Sequence, residues 1–127
     1  RQAYKDDAGI DLALKHDLTV PVGAHRVGDT GVHVAVPRGH VGMVFVRSST
    51  GIKNHLVLSN GTGIIDSGFT GAIKLSLHNT GDRTQHIAAG DYIAQLVVVP
   101  IATNNIAEVP ELGDTQRGTN GIGSSGK

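Results

Sequence analysis

The sequence predicts an all-β fold, a sandwich, jelly roll or small barrel of many short strands, on three observations. Glycine occurs 18 times in 127 residues, against only two Tyr and two Phe, and that is about twice the usual glycine share of roughly 7%, which implies many turns. Apolar and polar residues alternate in several short runs, the period of a strand with one buried face. Clusters of Gly, Pro, Asn and Asp punctuate those runs, as chain reversals require.

In chain order, residues 10–14 and 18–20 read as the first two strands, followed by the turn Pro21-Val22-Gly23. Val32, Val34 and Val36 interleave with His33 and Ala35, so 32–36 reads as a half-buried strand ending at Pro37-Arg38-Gly39. The apolar run 41–46 is the next strand. Residues 49–56 are the one mildly helical stretch, with Ser48 or Ser49 available as its N-cap. A short strand at 57–58 leads to Gly63-Ile64-Ile65-Asp66-Ser67-Gly68-Phe69-Thr70-Gly71, read as a hairpin between two apolar strands. Its glycines let backbone approach a ligand closely, and it fixes one carboxylate, Asp66, and one ring, Phe69, on a rigid edge. Ile73, Leu75 and Leu77 interleave with Lys74, Ser76 and His78 before Asn79-Thr80-Gly81-Asp82, and 93–99 is the last strand. From about Pro110 the apolar pattern fades into Gly, Ser, Thr and Asn, which divides the chain into a β domain over 1–109 and a mobile C-terminal arm over 110–127.

Composition narrows the function classes. At 127 residues the chain is one domain that buries roughly two-thirds of its unfolded surface, enough for a core without staples. Eleven basic and eleven acidic residues cancel, so no global field draws in nucleic acid or an anionic membrane, and any anion site must be local. The absence of cysteine removes a disulfide framework, a thiol nucleophile and cysteine-ligated zinc, and suits a reducing, cytoplasmic setting. No apolar run of about 18 residues and no leader is expected to engage a membrane. The sequence opens on Arg1 rather than methionine, and an upstream segment is allowed for. None of the seven histidines forms a His-x-His or His-Glu-x-x-His pair, which argues against a histidine metal site. Gly121-Ile122-Gly123-Ser124-Ser125-Gly126-Lys127 imitates most of a Walker A loop, but a P-loop needs a following helix and a Ser or Thr after the lysine. No Gly-x-Ser-x-Gly elbow is present for a serine hydrolase.

Chemistry-bearing residues concentrate in five segments. Ala8-Gly9-Ile10-Asp11-Leu12 puts an acid on an early strand. Arg47-Ser48-Ser49 follows the strand 41–46, where cation and hydroxyls can meet an anion. The glycine-punctuated stretch with Asp66 and Phe69 is third. Gly90-Asp91-Tyr92-Ile93-Ala94-Gln95-Leu96 carries an amide on a strand, and Arg117 to Gly126 form a glycine-rich tail.

In this order and spacing the five segments resemble the trimeric dUTP pyrophosphatases (dUTPases), almost from end to end of the chain. The resemblance implies a jelly-roll β-clip fold with one short helix and a flexible tail, a homotrimer with shared sites, and Mg2+-dependent hydrolysis of dUTP to dUMP and pyrophosphate. It implies that Asp66 is the general base for the attacking water. Phe69, where the family usually has Tyr, packs on the deoxyribose, while backbone groups between Gly63 and Lys74, including Ile65 and Ile73, read uracil with Asn60. Arg47, Ser48, Ser49 and Gln95 bind the phosphates, and Asp11 acts on the metal through water. Arg117, Gly121, Ile122, Gly123, Ser124 and Ser125 close over the triphosphate.

Two departures stand out. Tyr92 occupies a usually basic position and is read as structural, and Ile122 replaces the aromatic residue that stacks over the base. The alternatives are a dCTP deaminase, which shares the Arg-Ser-Ser segment and the Ile-Asp-x-Gly-Phe-x-Gly stretch, and a non-catalytic binding or regulatory relative. Ser76 stands where the deaminases carry their catalytic glutamate, and the tail also favours the dUTPase.

Overall fold

The computed structural model describes residues 1–126; Lys127, the end of the expected arm and of the Walker-like run, lies outside the described residues. The strands are β1 (Ile10–Ala13), β2 (Leu18–Val20), β3 (His25–Asp29), β4 (His40–Val46), β5 (Leu56–Leu58), β6 (Gly63–Ile65), β7 (Lys74–Asn79), β8 (Gln85–Ile87) and β9 (Tyr92–Pro100), with one α-helix, α1 (Ser48–Ile52), between β4 and β5 and a 3-10 turn (Thr103–Asn105) after β9. They form three antiparallel sheets in the orders β1-β9-β4-β6, β2-β8 and β3-β7-β5. The result is a jelly-roll-like, mostly β body. Among the described residues no helix is long and apolar enough to cross a membrane.

Alternation builds the core from facing sheets. Leu75 and Leu77 of β7 point inward with Leu56 and Leu58 of β5, and meet Val44, Ile93 and Leu96 from the four-stranded sheet. Ser76 and His78 take the opposite face of β7 and stay half-exposed. Leu77 is fully buried, and truncating it to Ala would cost roughly 2–5 kcal/mol in transfer and cavity terms. One polar side chain shares that interior. Asn79 donates to the carbonyls of Val20 and Arg83 and accepts from the Gly81 N–H, so the turn after β7 is pinned to β2 by a buried amide with satisfied partners.

Three sequence expectations are corrected. The stretch from Gly63 to Gly71 is not a hairpin: β6 pairs with β4 (Val44↔Gly63, Gly42↔Ile65), whereas β7 pairs with β3 and β5. It is a crossover between two sheets, because the apolar residues of β6 and β7 serve opposite sides of the core. Residues 32–36 form no strand. Their alternation is realised, with Val36 buried and Val32 and Val34 packed on the core, but the backbone makes only isolated bonds such as Ile73 N–H to the Val32 carbonyl at 2.9 Å. Finally, the helix is shorter than 49–56 and its cap position is Arg47, with no side-chain cap bond from Ser48 or Ser49. Thr50, Gly51 and Ile52 are weak helix formers, and one turn is all that they sustain.

Candidate active site

The crossover between β6 and β7 forms one wall of a cleft of about 440 Å³. Asn60, Gly63, Ile65, Asp66, Phe69, Ile73 and Lys74, the whole set expected around the base and the attacking water, line it together. Val44, Leu58, Ile64, Gly71, Ala72 and Leu75 complete the lining. Val44, Leu58 and Leu75 lie on the inward phase of β4, β5 and β7 and read in the sequence as strand residues, whereas Ile64, Gly71 and Ala72 fall within the 63–74 segment expected at the base.

A tight turn sets the two chemical groups of the crossover. The Phe69 N–H donates to the Asp66 carbonyl at 3.1 Å, with Gly68 at φ 96°. The Phe69 ring then lies directly on Gly71, where a Cβ would stand 2.6 Å from the ring's Cζ. Only a residue without a side chain lets the ring lie there. Its outer face remains open, at 46% exposure. Asp66 is exposed, and its carboxylate takes part in none of the ion pairs among the described residues. Behind the turn, His33 Nδ1 donates to the Thr70 carbonyl at 2.8 Å and ties the 32–36 segment to the crossover.

A second constellation lies on the four-stranded sheet. Asp11 and Gln95 are directly paired on β1 and β9. Gly9 makes room for the amide, since a Cβ there would come within 2.5 Å of Gln95 Oε1; this is a packing reason for a glycine two residues before the acid. Arg47 Nε approaches Asp11 Oδ1 at 3.5 Å, and its Nη1 donates to the Tyr92 carbonyl at 3.2 Å. Arg1 Nε reaches the other carboxylate oxygen at 3.4 Å, and its guanidinium carbon sits 4.2 Å from the centre of the Tyr92 ring. Asp11 thus lies between two guanidiniums with its side chain only 13% exposed. Ser48 and Ser49 are exposed beside Arg47. None of these residues lines the cleft.

The tail is separate from both. Arg117, Gly121, Ile122, Gly123, Ser124 and Ser125 are exposed and do not line the cleft. The tail is locally folded, however: Arg117 Nε donates to the Asn120 carbonyl at 2.8 Å, and the Ser124 N–H to the Gly121 carbonyl at 3.1 Å. Among the described residues no group of three or more His, Cys, Asp or Glu could hold a metal ion.

The chain is similar to known proteins along its whole length. The chain is 44% identical over 127 residues to the deoxyuridine 5'-triphosphate nucleotidohydrolase of Cutibacterium acnes, covering 99% of this chain and 84% of that protein. It is 42% identical over 130 residues to the nucleotidohydrolase of the same name from Escherichia phage T5, covering 96% and 87%. The Staphylococcus bacteriophage 80alpha dUTPase with dUpNHpp superposes with a TM-score of 0.91 at 30% identity, covering 100% of this chain and 90% of that one. A mutant dUTPase from phage phi11 of S. aureus, whose structure details the coordination of a structural Mg(II) ion, gives 0.80 at 29% identity, with 90% of each chain covered. The dUTPase family model matches residues 1–126, and the chain belongs to the dUTPase family.

Proposed function

We propose that the protein hydrolyses dUTP to dUMP and pyrophosphate, with Asp66 as general base. The observation that carries this reading is the convergence of Asn60, Gly63, Ile65, Asp66, Phe69, Ile73 and Lys74 in one cleft. Asp66 takes a proton from water, whose oxygen attacks the α-phosphorus; the bond from that phosphorus to the α,β-bridging oxygen breaks, and pyrophosphate leaves with the electron pair. A positioned base contributes about 10²–10⁴ in rate. Backbone groups of the crossover, with Asn60, pair with the uracil edge, and cytosine's opposite donor pattern would leave buried groups unpaired. The Phe69 ring, seated on Gly71, forms a steric wall against a ribose 2′-hydroxyl.

Arg47, Ser48, Ser49 and Gln95 hold the phosphates in this reading. Mg2+ fits the donors present, because it keeps most of its waters and is commonly held by one or two carboxylates plus substrate phosphates rather than by a protein cage. Asp11 would hold it through water, and the ion would neutralise part of the triphosphate charge.

The cleft, the charged cluster and the tail share no lining residue, which supports a homotrimer in which different subunits contribute them to one site. Mixing Asp66→Asn protein with Arg47→Ala protein tests this arrangement. Recovered turnover is expected, and mixtures that stay inactive after subunit exchange oppose sharing.

The chemistry is tested by measuring pyrophosphate release from dUTP with and without Mg2+, beside ammonia release from dCTP. Mg2+-dependent pyrophosphate without ammonia is expected. Ammonia alone would identify a deaminase, and silence in both assays a binding module.

A further inference from the structure

We infer that Arg1 is an additional polyphosphate-binding residue and that the ring of Tyr92 is the platform positioning it; the dUTP reading above is needed only for the identity of the nucleotide. Arg1 is separated by ten positions from Asp11, yet its carbonyl accepts the Asp11 N–H at 2.6 Å. The chain therefore runs back beside β1 and presents the Arg1 side chain next to the acid. Its guanidinium is restrained twice more, by Asp11 Oδ2 at 3.4 Å and by the Tyr92 ring at 4.2 Å. An exposed Arg–Asp pair alone is common and weak. A guanidinium fixed by main chain, carboxylate and ring has lost much of the freedom that makes such pairs weak.

The charge balance points to an anion. The side chains of Arg1 and Arg47 share the single carboxylate of Asp11, an excess of one cationic side chain in a chain whose formal net charge is zero. The Tyr92 ring meets the guanidinium carbon of Arg1, and the Asp11 contact engages only Nε. The in-plane Nη donors remain available, in the forked geometry that suits phosphate oxygens. Arg47 also keeps donors beyond its contacts to Asp11 and the Tyr92 carbonyl. Two guanidiniums converging on one carboxylate, beside the exposed hydroxyls of Ser48 and Ser49, fit a chain of phosphoryl groups better than a single monoanion. Tyr92 thereby joins the two cations: its carbonyl holds Arg47 and its ring holds Arg1.

The test compares dissociation constants of the full chain for a non-hydrolysable dUTP analogue, for dUMP and for inorganic tripolyphosphate. Arg1→Gln is expected to weaken the analogue and tripolyphosphate about tenfold, the loss of one charge-assisted contact, and to affect dUMP less. Tyr92→Leu should match Arg1→Gln, Tyr92→Phe should retain affinity because it keeps the ring, and the double variant Arg1→Gln/Tyr92→Leu should be no weaker than either single one. Thermal unfolding of each variant checks that the fold is kept. Equal tripolyphosphate affinity in wild type and Arg1→Gln overturns the assignment, and so do additive losses in the double variant. If tripolyphosphate binding depends on Arg1 while dUTP is neither bound nor cleaved, the nucleotide reading fails and the assignment stands. If wild type and Arg1→Gln handle dUTP alike, the assignment fails and the reading stands.

Discussion

The cleft and the charged cluster differ in how their acids are partnered. Asp66 stands exposed on the crossover and outside every ion pair among the described residues, whereas Asp11 is largely covered and held between Arg1 and Arg47. The Asp11 carboxylate is already committed to two cations, one on each oxygen. A lone carboxylate facing a cleft keeps its lone pairs for water. In the proposed reaction this difference puts proton transfer in the cleft and charge handling in the cluster.

Exchanging each acid for its amide breaks that comparison most directly. Asp66→Asn removes the proposed base but keeps the side chain's shape, so kcat should fall by about 10²–10⁴ while the affinity for a non-hydrolysable dUTP analogue changes little. Near-normal turnover would mean that another group takes the proton. Asp11→Asn should cost less, roughly 10–100-fold, the usual effect of losing an outer-shell partner of a metal. Its signature is a raised Mg2+ requirement in titrations of activity. If the two substitutions give the same Mg2+ dependence, the division of labour is wrong.

The two regions were unequally legible in the sequence. The cleft could be read because its chemistry is local: all of its expected residues fall between Asn60 and Lys74, and folding needed only to bend that segment. The cluster is assembled across strands. Asp11, Arg47 and Gln95 were each visible in their own segments, but Arg1 enters through a backbone pairing with Asp11 that no periodicity announces. The strands behave alike. Apolar runs announced β4 and β9, and alternation announced β7. The sequence His25-Arg26-Val27-Gly28-Asp29 of β3 hid its strand, because the fully buried position is Gly28, where a Cβ would come within 2.6 Å of Leu14 side-chain atoms. There the inward signal is a missing side chain. Alternation over 32–36 located the right inward residues and still gave the wrong element, since periodicity reports burial and not which backbone groups pair.

Ile122 sharpens the cleft side of the comparison. It is fully exposed in the tail, and if the tail caps the base, an aliphatic side chain recovers only part of the stacking energy, worth about 1–3 kcal/mol per base on an aromatic. Ile122→Phe should therefore lower KM for dUTP by up to about tenfold with little change in kcat. Steady-state kinetics of the two proteins checks it, and equal KM values would show that Ile122 does not meet the base.

Asp29 separates pairing as such from pairing at the site. Like Asp11 it is engaged, accepting the Gly31 N–H at 2.7 Å and lying 3.5 Å from Lys15, yet it belongs to neither region. The Gly31 N–H first, and Lys15 after it, hold its carboxyl below the ordinary value of 3.8. A lowered folded-state value means that these contacts favour the charged form. Their stabilisation is present above the unfolded-chain value and is lost as pH falls through the lower folded value. Asp29→Asn should consequently flatten the acid limb of stability below about pH 4, read as thermal midpoints across pH, and leave dUTP turnover at neutral pH unchanged. A loss of turnover comparable to that of Asp11→Asn would show that any paired acid in this body supports activity through the fold, and would erase the contrast between cluster and cleft.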